Sequence, residues 1–123
     1  MKTLFFIPFL FMCTMVIGQS SEIIGTPTKI GNLEVALTDL GRFTWLDASE
    51  ECAKLGDGWR LPTKDELNVL YQNKDKIGGF EIGYYWSSTE YNDNDACNQF
   101  FSGGEQSYGP KGYNNPVRAV RSL

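Results

Sequence analysis

From Leu33 onward, apolar and polar positions alternate. Leu33, Val35 and Leu37 fall on one side of an extended segment, Glu34 and Thr38 on the other, with small Ala36 between. A two-residue period predicts a half-buried strand, and Asp39-Leu40-Gly41-Arg42 supplies the turn after it. The period then becomes helical. Trp45, Ala48, Cys52 and Leu55 form one apolar stripe, while Glu50, Glu51 and Lys54 face water. Thr44 caps this helix, with Asp47 three residues on in a near capping box. Gly56 and Gly58 end it around Asp57, because glycine tolerates the left-handed cap. Trp59 and Leu61 then bracket Arg60 in an extended stretch closed by Pro62. Thr63-Lys64-Asp65-Glu66 is a full capping box for a second helix, whose inner face is Leu67, Leu70 and Tyr71. That helix fades at Gln72-Asn73-Lys74.

The second half has a different pattern. Gly78, Gly79 and Gly83 punctuate a loop, and Tyr84 to Thr89 has the aromatic character of a strand. Tyr91 to Asp95 is a polar loop. Ala96 to Ser102 predicts a further strand, with Cys97, Gln99 and Phe101 alternating against Asn98 and Phe100, and Gly103-Gly104 a hairpin turn. Gln106 to Pro116 is rich in Gly, Asn and Pro and predicts irregular structure. Val117 and Val120 place Arg118 and Arg121 near the end of a terminal strand. Strand, two helices, then several short strands make a small α+β domain with a mostly antiparallel sheet and a long loop region.

The amino terminus sets the compartment. Met1-Lys2 is basic, Leu4 to Ile17 is apolar, and Val16-Ile17-Gly18 offers a cleavage site before Gln19. This layout predicts a signal peptide over 1–18. The apolar run is shorter than the ~20 residues of a spanning helix and contains Pro8. The expected organisation is therefore a leader at 1–18, a flexible lead-in at 19–32 with a short strand around Ile23, and one domain at 33–123. The expected location is secreted, periplasmic or cell-surface, with no membrane span after cleavage. About a hundred mature residues suffice for one core. A formal charge of -4 with no basic patch argues against nucleic acid. No histidine is present, which removes the commonest general base and metal ligand.

Candidate chemistry lies mainly after Gly79. Asn92, Asp93, Asn94 and Asp95, with Glu90 nearby, offer clustered oxygen donors. Calcium wants such hard ligands, with Asp93, Asn94 and Asp95 as its candidates. The same residues also simply form turns. Tyr84, Tyr85, Tyr91, Tyr108 and Tyr113 gather in this half. A binding surface would draw on Tyr91, Asn92, Tyr108, Tyr113 and Asn115, whose rings stack on sugars and whose amides bind hydroxyls. The competing reading has these aromatics packing the loops, and Trp45, Trp59 and Trp86 are assigned to the core. Arg60, Arg118 and Arg121 suit either an anion clamp or structural pairing with Glu66, Glu90 or backbone carbonyls, and structural pairing is preferred. Ser87-Ser88-Thr89 has no histidine partner, so no catalysis is expected. Removal of the leader leaves Cys52 and Cys97. In an exported chain they form either a disulfide worth ~3–4 kcal/mol or two buried thiols.

Trp45, Ala48 and Cys52, spaced as W-x-x-A-x-x-x-C, resemble the first helix of C-type-lectin-like domains. GDGWRLPTKDEL (from Gly56), YYWSSTE (Tyr84 to Glu90) and VRAVR (Val117 to Arg121) are narrower. Together they resemble the Lcl C-terminal domain family, a bacterial branch of that fold named for a collagen-like adhesin. They are also similar to the Fibrobacter-type major paralogous domain. The resemblance covers roughly Leu33 to Leu123. It implies close termini, two helices, a loop-rich half before the last strands, export and surface display. Its implied partner is a surface glycan, as for the adhesin that binds sulfated glycans, or an envelope protein. Two departures stand out. Ala119 occupies the place where related domains carry a cysteine, so Cys52 lacks its usual partner. The calcium-ligating Glu-Pro-Asn or Gln-Pro-Asp and Trp-Asn-Asp tripeptides are missing, and Asn115-Pro116 is only a fragment.

Overall fold

Thr44 and Thr63 fix the starts of the two principal helices in the computed structural model, which describes residues 20–123. The expected signal peptide at 1–18 lies outside the described residues. Helix α1 spans Trp45–Ala53 and α2 spans Lys64–Gln72; a single turn, α3, follows at Lys74–Ile77. The Thr44 hydroxyl accepts the Asp47 N–H at 3.4 Å. At α2 the box is complete: Thr63 Oγ1 accepts the Glu66 N–H at 3.2 Å, and Glu66 Oε1 accepts the Thr63 N–H at 2.9 Å. Reciprocal capping satisfies two donors that a helix start leaves orphaned.

The strands are β1 (Thr28–Ile30), β2 (Leu33–Val35), β3 (Gly41–Phe43), β4 (Tyr84–Glu90), β5 (Asp95–Phe100), β6 (Gln106–Pro110), β7 (Asn115–Val117) and β8 (Val120–Ser122). They form three antiparallel sheets, β1-β2-β8, β3-β7 and β4-β5-β6. The first joins the two ends of the domain, and the Leu123 N–H reaches Asn32 O at 2.9 Å. Arg60 exchanges two backbone bonds with Val120, at 2.8 and 2.9 Å, tying the inter-helix bridge to β8.

Two apolar clusters hold these pieces together. Leu33, Val35 and Val120 meet Leu67 and Leu70 of α2 and Tyr85 and Phe101 in one. Ala48 and Cys52 of α1 meet Trp59, Leu61, Trp86, Ala96, Val117 and Ala119 in the other. Trp86 donates to Phe43 O and Trp45 to Ser87 O, both at 2.8 Å, so the buried indoles keep their donors satisfied. Trp59 and Trp86 are buried and Trp45 half-buried.

Several sequence expectations need correction. The lead-in at 19–32 is not loose among its described residues. Residues 20–24 are helical rather than extended around Ile23, and Thr28–Ile30 pairs as β1. Strand β2 would otherwise present an open edge, which β1 covers. The alternating segment stops at Val35, and Leu37 is exposed. Glu34 is buried because Arg121 donates to it at 2.8 Å. Gln106 to Pro116 contains β6 and β7, since pairing with β5 and β3 overrides its Gly/Pro/Asn composition. Pro110 is tolerated as the last residue of an edge strand.

Cys52 and Cys97 are free and buried, so the bridge is not formed. Alternation along β5 gives the reason. Ala96 packs in the cluster that contains Cys52, which turns its neighbour Cys97 to the opposite face of the sheet. Burial pushes the Cys52 thiol up to about 12, with Glu51 adding to the effect.

Candidate functional site

The loop from Tyr91 to Asp95 closes on itself. Asn92 Oδ1 accepts the N–H groups of Asn94 and Asp95 at 2.8 and 2.7 Å, and Asn92 Nδ2 donates to Asp95 Oδ2 at 3.2 Å. Asn92 is thus engaged in its own turn. The Lys111 ammonium donates to the Glu90 carboxylate and to Asp93 O, the latter at 2.9 Å. It also lies 4.9 Å from the Trp45 ring centroid. A protein cation thus sits on Glu90 and the Asp93 backbone, beside the Asp93, Asn94 and Asp95 side chains that the calcium reading assigned to a metal. Among the described residues no three Asp, Glu or Cys side chains converge.

Beside this loop, Tyr84, Asn98, Ser107, Tyr108, Gly109, Pro110, Tyr113 and Asn115 line a concavity of about 240 Å³. Strand register explains the juxtaposition. Asn98 stands opposite Trp86 of β4 and Ser107 of β6, and Tyr84 opposite Phe100. These residues therefore share one sheet face. The Tyr84 ring stacks on Phe100 at 4.7 Å between centroids and remains 42% exposed. Tyr113 is anchored by its N–H to Pro110 O at 3.0 Å, yet is 62% exposed. Tyr108 stacks flat on Tyr91, 3.8 Å apart at 4°. The neighbouring Tyr108 hydroxyl holds the Tyr91 phenol above its ordinary range.

Asn98 is the unusual member. It is 5% exposed, and its Oδ1 has no hydrogen-bond partner. An unsatisfied buried acceptor costs about 1–3 kcal/mol. Its buried polar neighbours are satisfied. Gln99 Nε2 reaches Asn68 Oδ1 at 2.9 Å and Gly104 O at 3.0 Å, and Ser87 Oγ donates to Cys97 O at 2.7 Å. Gly109 lies over the amide: a Cβ there would stand 3.3 Å from Asn98 Nδ2. Its φ lies outside the left-handed region, so its backbone conformation does not require glycine.

Of the residues singled out from sequence, Tyr108, Tyr113 and Asn115 come together here. Tyr91 supports Tyr108 from the side, while Asn92, Asp93, Asn94 and Asp95 belong to the adjoining turn. Asn98, Ser107 and Gly109 were not anticipated. The available signal was an asparagine, poorly suited to strands, at the centre of one.

The arginines are structural. Arg60 forms a two-pronged pair with Glu66 at 2.6 and 3.0 Å. The Arg60 guanidinium beside Glu66 holds that carboxyl below its ordinary range. Arg118, fully buried, donates to Asp39 Oδ1 at 2.7 Å and to the carbonyls of Ala36 and Gly78 at 3.1 and 3.2 Å. Asp39 Oδ2 also accepts the Tyr85 hydroxyl at 2.6 Å. Burial pushes Asp39 above its ordinary range against those two donors. A larger concavity of about 460 Å³ adjoins this network, but its Lys74, Asp75 and Glu81 carry mixed charge.

The model of the Lcl C-terminal domain matches residues 21–121. Botrocetin has a similar solved structure, with a TM-score of 0.59 and 11% identity, over 80% of this chain and 98% of that one. A chain in the complex of a mutant von Willebrand factor A1 domain with botrocetin also matches, at TM-score 0.57 and 11% identity, with the same coverage. No curated protein matches the chain. The match begins at the structured lead-in rather than at Leu33. The protein belongs to the Lcl C-terminal domain family and has a C-type-lectin-like fold.

Proposed function

We propose that this protein is an exported, non-catalytic binding module that docks a surface glycan in the concavity walled by Tyr84, Tyr108 and Tyr113. The observation that carries this reading is the coincidence of three exposed tyrosine rings with the polar side chains of Ser107 and Asn115 in one hollow. Binding sites combine apolar walls with a few placed polar groups. Sugars suit such walls, since each ring has an apolar C–H face and a rim of hydroxyls. The volume lies below the ~300–1,000 Å³ of drug-sized pockets and fits the end of a chain better than its length.

Non-catalysis is supported by the hydroxyls. Ser87 and Thr89 are spent on backbone contacts, Ser87 to Cys97 O and Thr89 accepting the Lys64 N–H at 2.9 Å. The leader-like segment at 1–18 supports export. A second reading, docking of an envelope protein, is favoured by the solved complex of botrocetin with a von Willebrand factor A1 domain.

A glycan array read with calcium and with chelator tests the proposal. Retention of a glycan, weakened at least tenfold by Tyr113→Ala, is expected. An array blank in both conditions sinks the glycan reading. Capture of an envelope protein through Tyr113 would put the second reading in its place.

A further inference from the structure

We propose that Tyr91 and Tyr108 form an oxidative cross-linking site, at which a peroxidase-type one-electron oxidant joins the two rings as dityrosine. The inference stands apart from what the hollow binds.

Among the described residues, this is the one ring pair made of two tyrosines. Tyr71, Tyr84 and Tyr85 each pair with phenylalanine. The Tyr91 and Tyr108 rings are parallel within 4°, with centroids 3.8 Å apart. Ordinary aromatic pairs sit ~4.5–7 Å apart and avoid the face-to-face sandwich. Both rings are half exposed, at 53% and 50%, so an oxidant in solution reaches either one. Exposure alone would favour Tyr113, at 62%, which stacks on no ring among the described residues. The Tyr108 hydroxyl is the largest influence on the Tyr91 phenol, which places the two hydroxyls side by side rather than at opposite ends of the stack. The ring carbons ortho to them therefore face one another.

Both backbones are held. The Tyr91 N–H donates to Asp95 O at 3.0 Å, and Tyr108 stands opposite Cys97 in the β5–β6 ladder. Holding two reactants in contact turns an encounter into a unimolecular step. In that step each phenol gives up one electron and one proton to become a phenoxyl radical. Its unpaired electron is shared between the oxygen and the ortho carbons. The two radicals pair to form one bond between Cε atoms. Loss of the hydrogen from each coupled carbon, and its return to the phenol oxygen, restore both rings. One hydrogen peroxide, reduced to two waters, takes up the two electrons and two protons. The product is two mass units lighter than the reduced chain and ties the loop after β4 to β6.

The test treats the dilute mature chain with a haem peroxidase and one equivalent of hydrogen peroxide. The protein is then reduced, which opens any disulfide, and cut after Glu, Lys and Arg. These cuts separate Tyr84 and Tyr85 (residues 82–90), Tyr91 (91–105), Tyr108 (106–111) and Tyr113 (112–118). The expected product is a fluorescent monomer, two mass units lighter, in which 91–105 is joined to 106–111. Tyr91→Phe and Tyr108→Phe keep a ring in the stack but have no phenol to oxidise. Each should lower the dityrosine fluorescence of the monomer at least tenfold, and Tyr113→Phe should leave it unchanged. The linked monomer should also melt higher than the untreated chain, because the bond restricts the unfolded state. Coupling chiefly between molecules, or a link through 82–90 or 112–118, overturns the assignment. A lower melting midpoint does so too, since the rings would have had to leave the folded stack to couple. A chain that consumes the peroxide and regains its full mass on reduction overturns it as well.

Discussion

Replacing Asp39 with alanine tests the frame at its most heavily buried charge. Arg118 is fully buried, and Asp39 is the one carboxylate it contacts among the described residues. Its other contacts, Ala36 O, Gly78 O and the Phe80 ring at 4.1 Å, supply no full negative charge. Breaking a buried pair from one side costs about 3–5 kcal/mol. The Tyr85 hydroxyl loses its acceptor too, worth about 1 kcal/mol more. Against this stands the desolvation of Asp39 itself, which already pushes its carboxyl up and is relieved on removal. A net loss of about 3–4 kcal/mol is expected, out of the ~5–15 kcal/mol typical of a domain. With a urea slope near ~1.5–2 kcal/mol/M, the unfolding midpoint should fall by about 2 M. Arg118→Met in the same chain removes the stranded charge and should restore at least half the loss. A coupling of about 2 kcal/mol is therefore expected in the double-mutant cycle. A single-mutant loss below about 1 kcal/mol, or additive single mutants, would refute the claim that Arg118 depends on Asp39 for its burial.

Glu66→Gln should preserve the α2 cap, because an amide oxygen still accepts the Thr63 N–H, but it loses the Arg60 charge pair. Both partners are partly exposed, so the expected cost at neutral pH is about 0.5–1 kcal/mol. Glu66 has a depressed folded value, so its contribution is present above 4.5 and lost as pH falls through that lower value. The wild-type advantage over Gln should shrink below pH 4.5 in acid titrations of stability; an advantage constant with pH contradicts it. Calcium should leave the thermal midpoint unchanged, and Lys111→Met should lower the unfolding free energy by about 1 kcal/mol, since Lys111 ties Glu90 to Asp93 O. A calcium-dependent rise in the wild type would reinstate a metal in that loop. Cys52 should resist iodoacetamide at pH 8 until urea is added, because the thiolate is the nucleophile and burial holds the thiol near 12. An intact mass two units below the reduced chain would show a disulfide instead.

Much of the frame is readable from local rules. Thr44, Thr63 and Glu66 announce the helix starts, and each forms the predicted hydrogen bond. The capping logic spans only three residues, so no distant contact was needed to see it. The β4–β5–Gly103-Gly104 pattern was legible for the same reason. Long-range pairing was not. β1 forms because β2 would otherwise be an open edge, and β7 because β3 offers one, neither of which its own composition states. The paired fate of Cys52 and Cys97 was beyond sequence too, since it turns on which face of β5 each approaches. Three residues that line the hollow were legible, Tyr108 and Tyr113 as aromatics and Asn115 as an amide of the same Gly/Asn/Pro-rich stretch. The floor was not, because Asn98 owes its burial to two neighbouring strands.

Asn98 is held in place by the parts of the fold most expensive to move. β5 is paired along both edges, to β4 and β6, and packs through Ala96 against the α1 cluster. Rotating Asn98 outward to find water would require a register slip of one residue. That slip would also turn Gln99 away from Asn68 and Ala96 away from its cluster. The strand cannot relieve the unpaired acceptor without dismantling satisfied contacts on both faces. The unpaired oxygen therefore stays fixed in place and sealed beneath the strands that flank it. The surrounding turn reinforces this separation. Asn92 and Lys111 tie the Tyr91–Asp95 loop to itself and to Glu90, leaving Ser107 and Asn115 among the polar side chains of the hollow. Binding at the hollow is therefore expected to follow its exposed rings, while fold stability follows the Arg118–Asp39 pair.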